Sequence, residues 1–219
     1  MNAIKICGFT RAEDAIAAAE FGVDFLGLVF YERSPRFIPT ERAKALVAEV
    51  HGPHPSARFV GVFVDEDPER ILQITQSVNL CGVQLHGGET PATVERLMAS
   101  GLFVIKAHRI AEETDLAGVW TCGADAELLD TRVPGVSGGT GMTFDWSLAV
   151  APALEGPLLL AGGLTPKNVG EAVRTVRPWG VDVSSGVEIG PGIKSTRSMR
   201  RFVETARTAF RNGGGDHEG

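Results

Sequence analysis

The stretch Pro157-Leu158-Leu159-Leu160-Ala161-Gly162-Gly163 leads through Leu164-Thr165-Pro166 to Val181-Asp182-Val183-Ser184-Ser185-Gly186. Its first apolar run lacks polar alternation, as expected of a parallel strand covered on both faces. Thr165-Pro166 then sets a capping side chain before a proline at a first helical position. Val169, Ala172, Val173 and Val176 follow at the i, i+3, i+4, i+7 spacing of a helix with one apolar face. A second run, Val181–Ser184, closes the unit. Strand, helix, strand is a βαβ crossover, and its two strands run parallel.

The same alternation extends outward in both directions. Further strands are predicted at Ala3–Cys7, Asp24–Phe30, Arg58–Val64, Leu80–Leu85, Leu102–Ala107 and Ala126–Asp130. Helical stripes recur at Ala43, Leu46, Val47 and Val50, and at Met199, Phe202, Val203 and Ala206. Thr10 with Glu13 reads as a capping box, and Asp67-Pro68 and Thr90-Pro91 as proline-led helix starts. The least periodic helix is the fifth, around Glu112–Val119. Eight β-then-α units in 219 residues predict an α/β fold, a single-domain (β/α)8 TIM barrel over residues 1–210. A doubly wound sheet is the alternative, since counting units does not establish closure. The segment 211–219, with three consecutive glycines and charged ends, is expected to be a disordered tail.

Composition narrows the function. Twenty-one Lys and Arg against 27 Asp and Glu give a net charge of −6, which argues against non-specific nucleic-acid binding. Compact anions stay open, because backbone N–H groups bind them without net basic charge. Cys7, Cys81 and Cys122 have no disulfide or zinc spacing, and no secretory signal or membrane-length apolar run is evident. The expectation is a cytoplasmic protein with no membrane partner and no nucleic-acid partner.

In such a barrel the chemistry sits at the C-terminal ends of the strands. Cys7 ends the first strand, where a thiol helped by a nearby cation serves as a base. Lys5 shares its face by alternation and is the expected helper. Asp130 ends the sixth strand, where partial desolvation suits a carboxyl to act as an acid. Arg36 lies just past the second strand. Its guanidinium fork matches a planar carboxylate, although Arg33 satisfies the same chemistry. His86 and Asp182 also sit at strand ends. No cluster with metal-ligand spacing is present, so no metal is expected.

Three glycine-rich loops follow strands six to eight: Gly138-Gly139-Thr140-Gly141, Gly162-Gly163 and Ser184-Ser185-Gly186. Pro191-Gly192-Ile193-Lys194 is expected to open a short extra helix. Barrels of this class hold phosphate with the loops after strands seven and eight and such a helix N-terminus. The dinucleotide and P-loop signatures are absent. The expected ligand is a small phosphorylated molecule.

These motifs carry a resemblance. Lys5-Ile6-Cys7-Gly8, Ser34-Pro35-Arg36, Val83-Gln84-Leu85-His86-Gly87, Leu128-Leu129-Asp130-Thr131, Gly138-Gly139-Thr140-Gly141, Ala161-Gly162-Gly163-Leu164 and Val181–Glu188 run in order along nearly the whole chain. The sequence resembles the phosphoribosylanthranilate isomerase family of tryptophan biosynthesis. The resemblance implies a cofactor-free Amadori rearrangement with Cys7 as general base and Asp130 as general acid. It also implies Arg36 as the contact for the anthranilate carboxylate and His86 and Asp182 as further substrate contacts. Gly139, Thr140, Gly141, Gly162, Gly163, Ser184, Ser185 and Gly186 would bind phosphate. The partner implied is a phosphosugar, taken up by a monomer or homodimer. Two features depart from the family or go unassigned: Ser195 stands where the family usually has aspartate, and Lys106, His108 and Arg109 add charge to strand five. The histidine-pathway ribonucleotide isomerase runs the same rearrangement but carries an aspartate where this chain has Cys7.

Overall fold

The structure is a computed structural model describing residues 2–110, 113–130, 146–150 and 155–213. Its strands are β1 (Ala3–Cys7), β2 (Phe25–Val29), β3 (Phe59–Phe63) and β4 (Gly82–Leu85), then β5 (Phe103–Arg109), β6 (Ala126–Asp130), β7 (Leu158–Ala161) and β8 (Gly180–Val183). They pair in sequence order, all parallel, and β8 returns to β1 with Lys5 opposite Asp182 and Ile6 opposite Val183. The sheet closes. This decides against the doubly wound alternative.

Helices α1 (Ala12–Glu20), α2 (Thr40–His51), α3 (Pro68–Val78), α4 (Pro91–Ala99), α5 (Val169–Val176) and α6 (Thr196–Gly213) surround the barrel. The weakly periodic fifth unit forms a 3-10 helix, Glu113–Gly118. The last helix continues three residues into the segment expected as tail, and 214–219 lie outside the described residues.

Two apolar compartments result from strand alternation. Outward-facing residues such as Ile4, Ile6, Leu26 and Leu28 pack with Ala15, Leu46, Val47 and Ile71 of the helices. Inward-facing Ala3, Phe25, Val60, Ile105 and Leu159 fill the lower barrel. Above them sit the buried polar side chains Lys5, Gln84 and Asp182, and at the top Cys7, Val29 and Val62. A polar layer under the mouth is unusual for a barrel core and belongs to the site.

Local capping follows the sequence in part. Asp67 Oδ1 accepts from the N–H groups of Glu69 and Arg70 at 2.9 and 3.2 Å, and Thr90 Oγ1 from Thr93 at 3.4 Å. The Thr10–Glu13 capping box is not formed. Thr10 Oγ1 donates instead to Gly192 O at 2.6 Å, tying the β1–α1 loop to a segment 182 residues away. Thr165 does not start a helix either: α5 begins at Val169, and Asn168 Oδ1 accepts from Thr165 N at 2.7 Å. Ser195 caps the last helix, its Oγ accepting from Ser198 N at 3.2 Å in the first turn of α6.

The expected helix at Pro191 is replaced by a hairpin. Strand β9 (Glu188–Gly190) pairs antiparallel with β10 (Ile193–Lys194), following a 3-10 turn at Ser185–Val187. Pro191-Gly192 supplies the bend, since proline fixes the first central residue of a turn and glycine allows φ +77 at the next.

Candidate active site

The C-terminal ends of the strands enclose a cavity of about 340 Å³. Its walls include Cys7, Arg36, His86, Asp130, Asp182, Gly162, Gly163, Ser184, Ser185 and Gly186. Every predicted site residue that the structure describes is therefore at one place. Gly139, Thr140 and Gly141 lie outside the described residues.

Cys7 is 8% exposed and stands above an ion pair, Lys5 Nζ to Asp182 Oδ2 at 3.1 Å. Burial opposes the charge on Lys5, but the Asp182 carboxylate and the Cys7 sulfur outweigh it and hold the ammonium above its usual range. Burial pushes the Asp182 carboxyl up, with Lys5 pulling the other way. Burial also dominates at Cys7. Its thiol is raised, although the charges of Lys5 and Lys194 favour the thiolate. The expected cationic help is present, but burial outweighs it.

Asp130 faces Cys7 from β6, three strands away around the barrel, with its side chain 24% exposed. His86 Nε2 lies 3.6 Å from Asp130 Oδ2. Burial and the nearby Arg109 charge lower the His86 pKa to about 4, so the ring is neutral at pH 7. Its Nδ1 lies 3.1 Å from Gln84 Nε2. An amide nitrogen only donates, so Nδ1 accepts and the ring proton sits on Nε2, facing Asp130. The pair is a neutral donor beside a carboxyl and not an ion pair.

Arg36 reaches the cavity along a constrained path. Its stem passes over Gly8, where an added Cβ would meet Arg36 Cδ at 2.5 Å and where φ is +83. Only glycine fits there cheaply. The guanidinium does not wait alone: Nε and Nη2 donate to Glu188 Oε1 and Oε2 at 2.9 and 2.6 Å. Arg36 lines the cavity, whereas Arg33 is not among the lining residues.

The loops after β7 and β8 touch through backbone. A Cβ on Gly186 would stand 1.9 Å from Leu164 O, so the two loops approach as only glycine permits. Asn168 Nδ2 braces the first loop by donating to Gly163 O at 3.1 Å. Ser184 Oγ donates to Cys7 O at 3.0 Å, linking the second loop to the end of β1. A concave backbone rim of this kind suits an oxyanion.

Sequence reasoning missed Gln84, Arg109, Glu188 and Lys194. Gln84 and Arg109 were available from alternation, two residues from His86 and from Ala107 on the same inner faces. The other strand-five charges face outward. Lys106 Nζ pairs with Glu89 Oε2 at 3.0 Å, and His108 Nε2 with Glu127 Oε2 at 2.6 Å. Among the described residues no group of three or more His, Cys, Asp or Glu is placed to hold a metal.

A family model described as N-(5'-phosphoribosyl)anthranilate (PRA) isomerase matches residues 4–205. The chain belongs to that family. The N-(5'-phosphoribosyl)anthranilate isomerase of Thiobacillus denitrificans is 46% identical over 211 residues, covering 94% of this chain and 98% of that one. The phosphoribosyl anthranilate isomerase structure from Thermotoga maritima superposes with a TM-score of 0.87 at 42% identity, covering 95% of this chain and 100% of that one. Another family structure holds reduced 1-(o-carboxyphenylamino)-1-deoxyribulose 5-phosphate. It is 40% identical, with a TM-score of 0.84 and the same coverage.

Proposed function

We propose that this isomerase converts N-(5-phosphoribosyl)anthranilate to 1-(2-carboxyphenylamino)-1-deoxyribulose 5-phosphate in tryptophan biosynthesis. The observation that carries the reading is the placement of Cys7 and Asp130 on one cavity, from strands on different sides of the barrel. Asp130 gives a proton to the furanose ring oxygen as the C1′–oxygen bond breaks. The anthranilate nitrogen lone pair forms the C=N bond of a Schiff base. Cys7 as thiolate then removes the C2′ proton, and the released electron pair makes the C1′=C2′ bond of an enolamine. Return of a proton to C1′ and loss of the enol proton give the ketone. An acid and a base acting on two sides of one sugar need no cofactor.

The remaining residues bind. Arg36 takes the anthranilate carboxylate, Asp182 and His86 contact the sugar, and the Gly162-Gly163 and Ser184-Ser185-Gly186 loops hold phosphate, with Gly139, Thr140 and Gly141 as a third contributor. His86, donating from Nε2, stabilises the Asp130 carboxylate left after the first proton transfer. No helix among the described residues is long and apolar enough to cross a membrane. A cytoplasmic location and action as a monomer or homodimer belong to the same proposal.

The test is turnover by the purified protein, followed as loss of substrate fluorescence. Conversion of phosphoribosylanthranilate is expected. Conversion of only the histidine-pathway ribonucleotide overturns the assignment.

A further inference from the structure

A guanidinium group has two edges that each match a carboxylate. Glu188 occupies the Nε/Nη2 edge of Arg36, and among the described residues Nη1 donates to nothing. The end-on edge is left to a ligand in the cavity.

Glu188 is itself held from behind. Lys194 Nζ donates to its Oε1 at 2.7 Å, and Gly192 N to the same oxygen at 3.2 Å. The Glu188 side chain is 5% exposed and that of Lys194 fully buried. Burial alone would raise the Glu188 carboxyl, but its bonds to Arg36 and Lys194 hold it below the usual range. A carboxylate fixed by two donors of its own hairpin has little freedom to follow a ligand. It is a template, and Arg36 is the part that conforms. Lys194 also donates to Cys7 O and, at 3.4 Å, to Ser184 O. The carboxylate end of the cavity, the end of β1 and the loop after β8 thus share one buried ammonium. Gly8 completes the clamp by seating the Arg36 stem.

We infer that Glu188 is a positioning residue for the carboxylate of the substrate. It fixes the direction in which Arg36 presents its end-on edge, and so favours a ligand bearing an aryl carboxylate at a set distance from the phosphosugar. The inference rests on the reading of Arg36 as the carboxylate contact. Without Glu188 the guanidinium has to be ordered by the ligand, and affinity falls by the cost of that ordering.

The experiment compares two probes, reduced 1-(o-carboxyphenylamino)-1-deoxyribulose 5-phosphate and ribulose 5-phosphate, which lacks the aryl carboxylate. Glu188→Gln is expected to weaken the first by about tenfold or more while the second changes by less than about twofold. In turnover the loss should appear mainly in KM. Glu188→Asp keeps the charge but withdraws it from Arg36, and should show the same selective loss if Glu188→Gln folds poorly. Equal weakening of both probes, or of neither, overturns the positioning role. Arg36→Met supplies the control for the underlying reading: it should weaken the carboxylate-bearing probe alone. If Arg36→Met leaves that probe unaffected, the carboxylate assignment itself fails. If Arg36→Met weakens it and the Glu188 variants do not, only the role of Glu188 fails.

Discussion

Lys5 Nζ lies 3.1 Å from Asp182 Oδ2 in the barrel interior, directly beneath the sulfur of Cys7. The pair joins two adjacent strands; Asp182 lines the cavity and Lys5 is fully buried. Removing one partner leaves the other charge buried. Lys5→Met should therefore cost about 3 to 5 kcal/mol in urea unfolding. It also withdraws the cation that favours the Cys7 thiolate. A thiol acting as base must be ionised, so activity rises with pH through its pKa. In Lys5→Met that rise should move to higher pH, and a pH–rate profile superposing on the parent would show that Lys5 does not influence the thiol.

His86 gives stability an acid sensitivity. Its pKa in the folded protein is about 4 against an unfolded value near 6.5. The folded state excludes the proton that the unfolded state binds, so the contribution is complete above pH 6.5 and lost as pH falls to 4. The loss is on the order of 3 kcal/mol. Urea unfolding at pH 7 and at pH 4.5 should show a smaller acid loss in His86→Asn than in the parent. Equal losses would mean that His86 does not stay neutral on folding.

Gly8→Ala tests the seat of Arg36. The new methyl meets Arg36 Cδ at 2.5 Å, and alanine is strained at φ +83. A stability loss of about 1 to 2 kcal/mol is expected from the backbone alone. The displaced arginine should raise KM more than it lowers kcat. An unchanged KM would mean that the stem path does not matter to binding.

The charges on strand five make a contrasting case. Lys106 Nζ pairs with Glu89 Oε2 at 3.0 Å and also donates to Gly87 O at 2.8 Å, and Lys106 is not among the residues lining the cavity. Lys106→Met should destabilise by about 3 kcal/mol or more while leaving KM for substrate near that of the parent. A selective rise in KM without loss of stability would place Lys106 in binding instead.

Much of this was legible in the sequence because its signals are local. Strands buried on both faces leave continuous apolar runs, so all eight were placed within a residue or two. The apolar run predicts β5 only as far as Ala107, two residues short of its end, because His108 and Arg109 interrupt it. One faces the buried Glu127 and the other the cavity, and polarity alone does not separate a functional strand end from solvent exposure. Asp67 and Thr90 capped as expected because their partners lie within three residues. Thr10 did not, because Gly192 competes for it from across the barrel. Arg36 and Glu188 are 152 residues apart, and no periodicity announces their pairing. The hairpin that carries Glu188 has the local sequence of a helix opening, since Pro-Gly serves both turns and helix ends. At Cys7 the neighbouring Lys5 follows from strand alternation, but Lys194 and the depth of burial do not, and burial decides the direction of the shift.

The most direct test of the acid–base account is the turnover number of Asp130→Asn on phosphoribosylanthranilate, measured beside its affinity for the reduced product. Asparagine keeps the shape and removes the transferable proton. The account predicts kcat lower by at least about 100-fold with affinity for the reduced product retained, and a parallel fall for Cys7→Ser. A near-parental kcat for Asp130→Asn would contradict it.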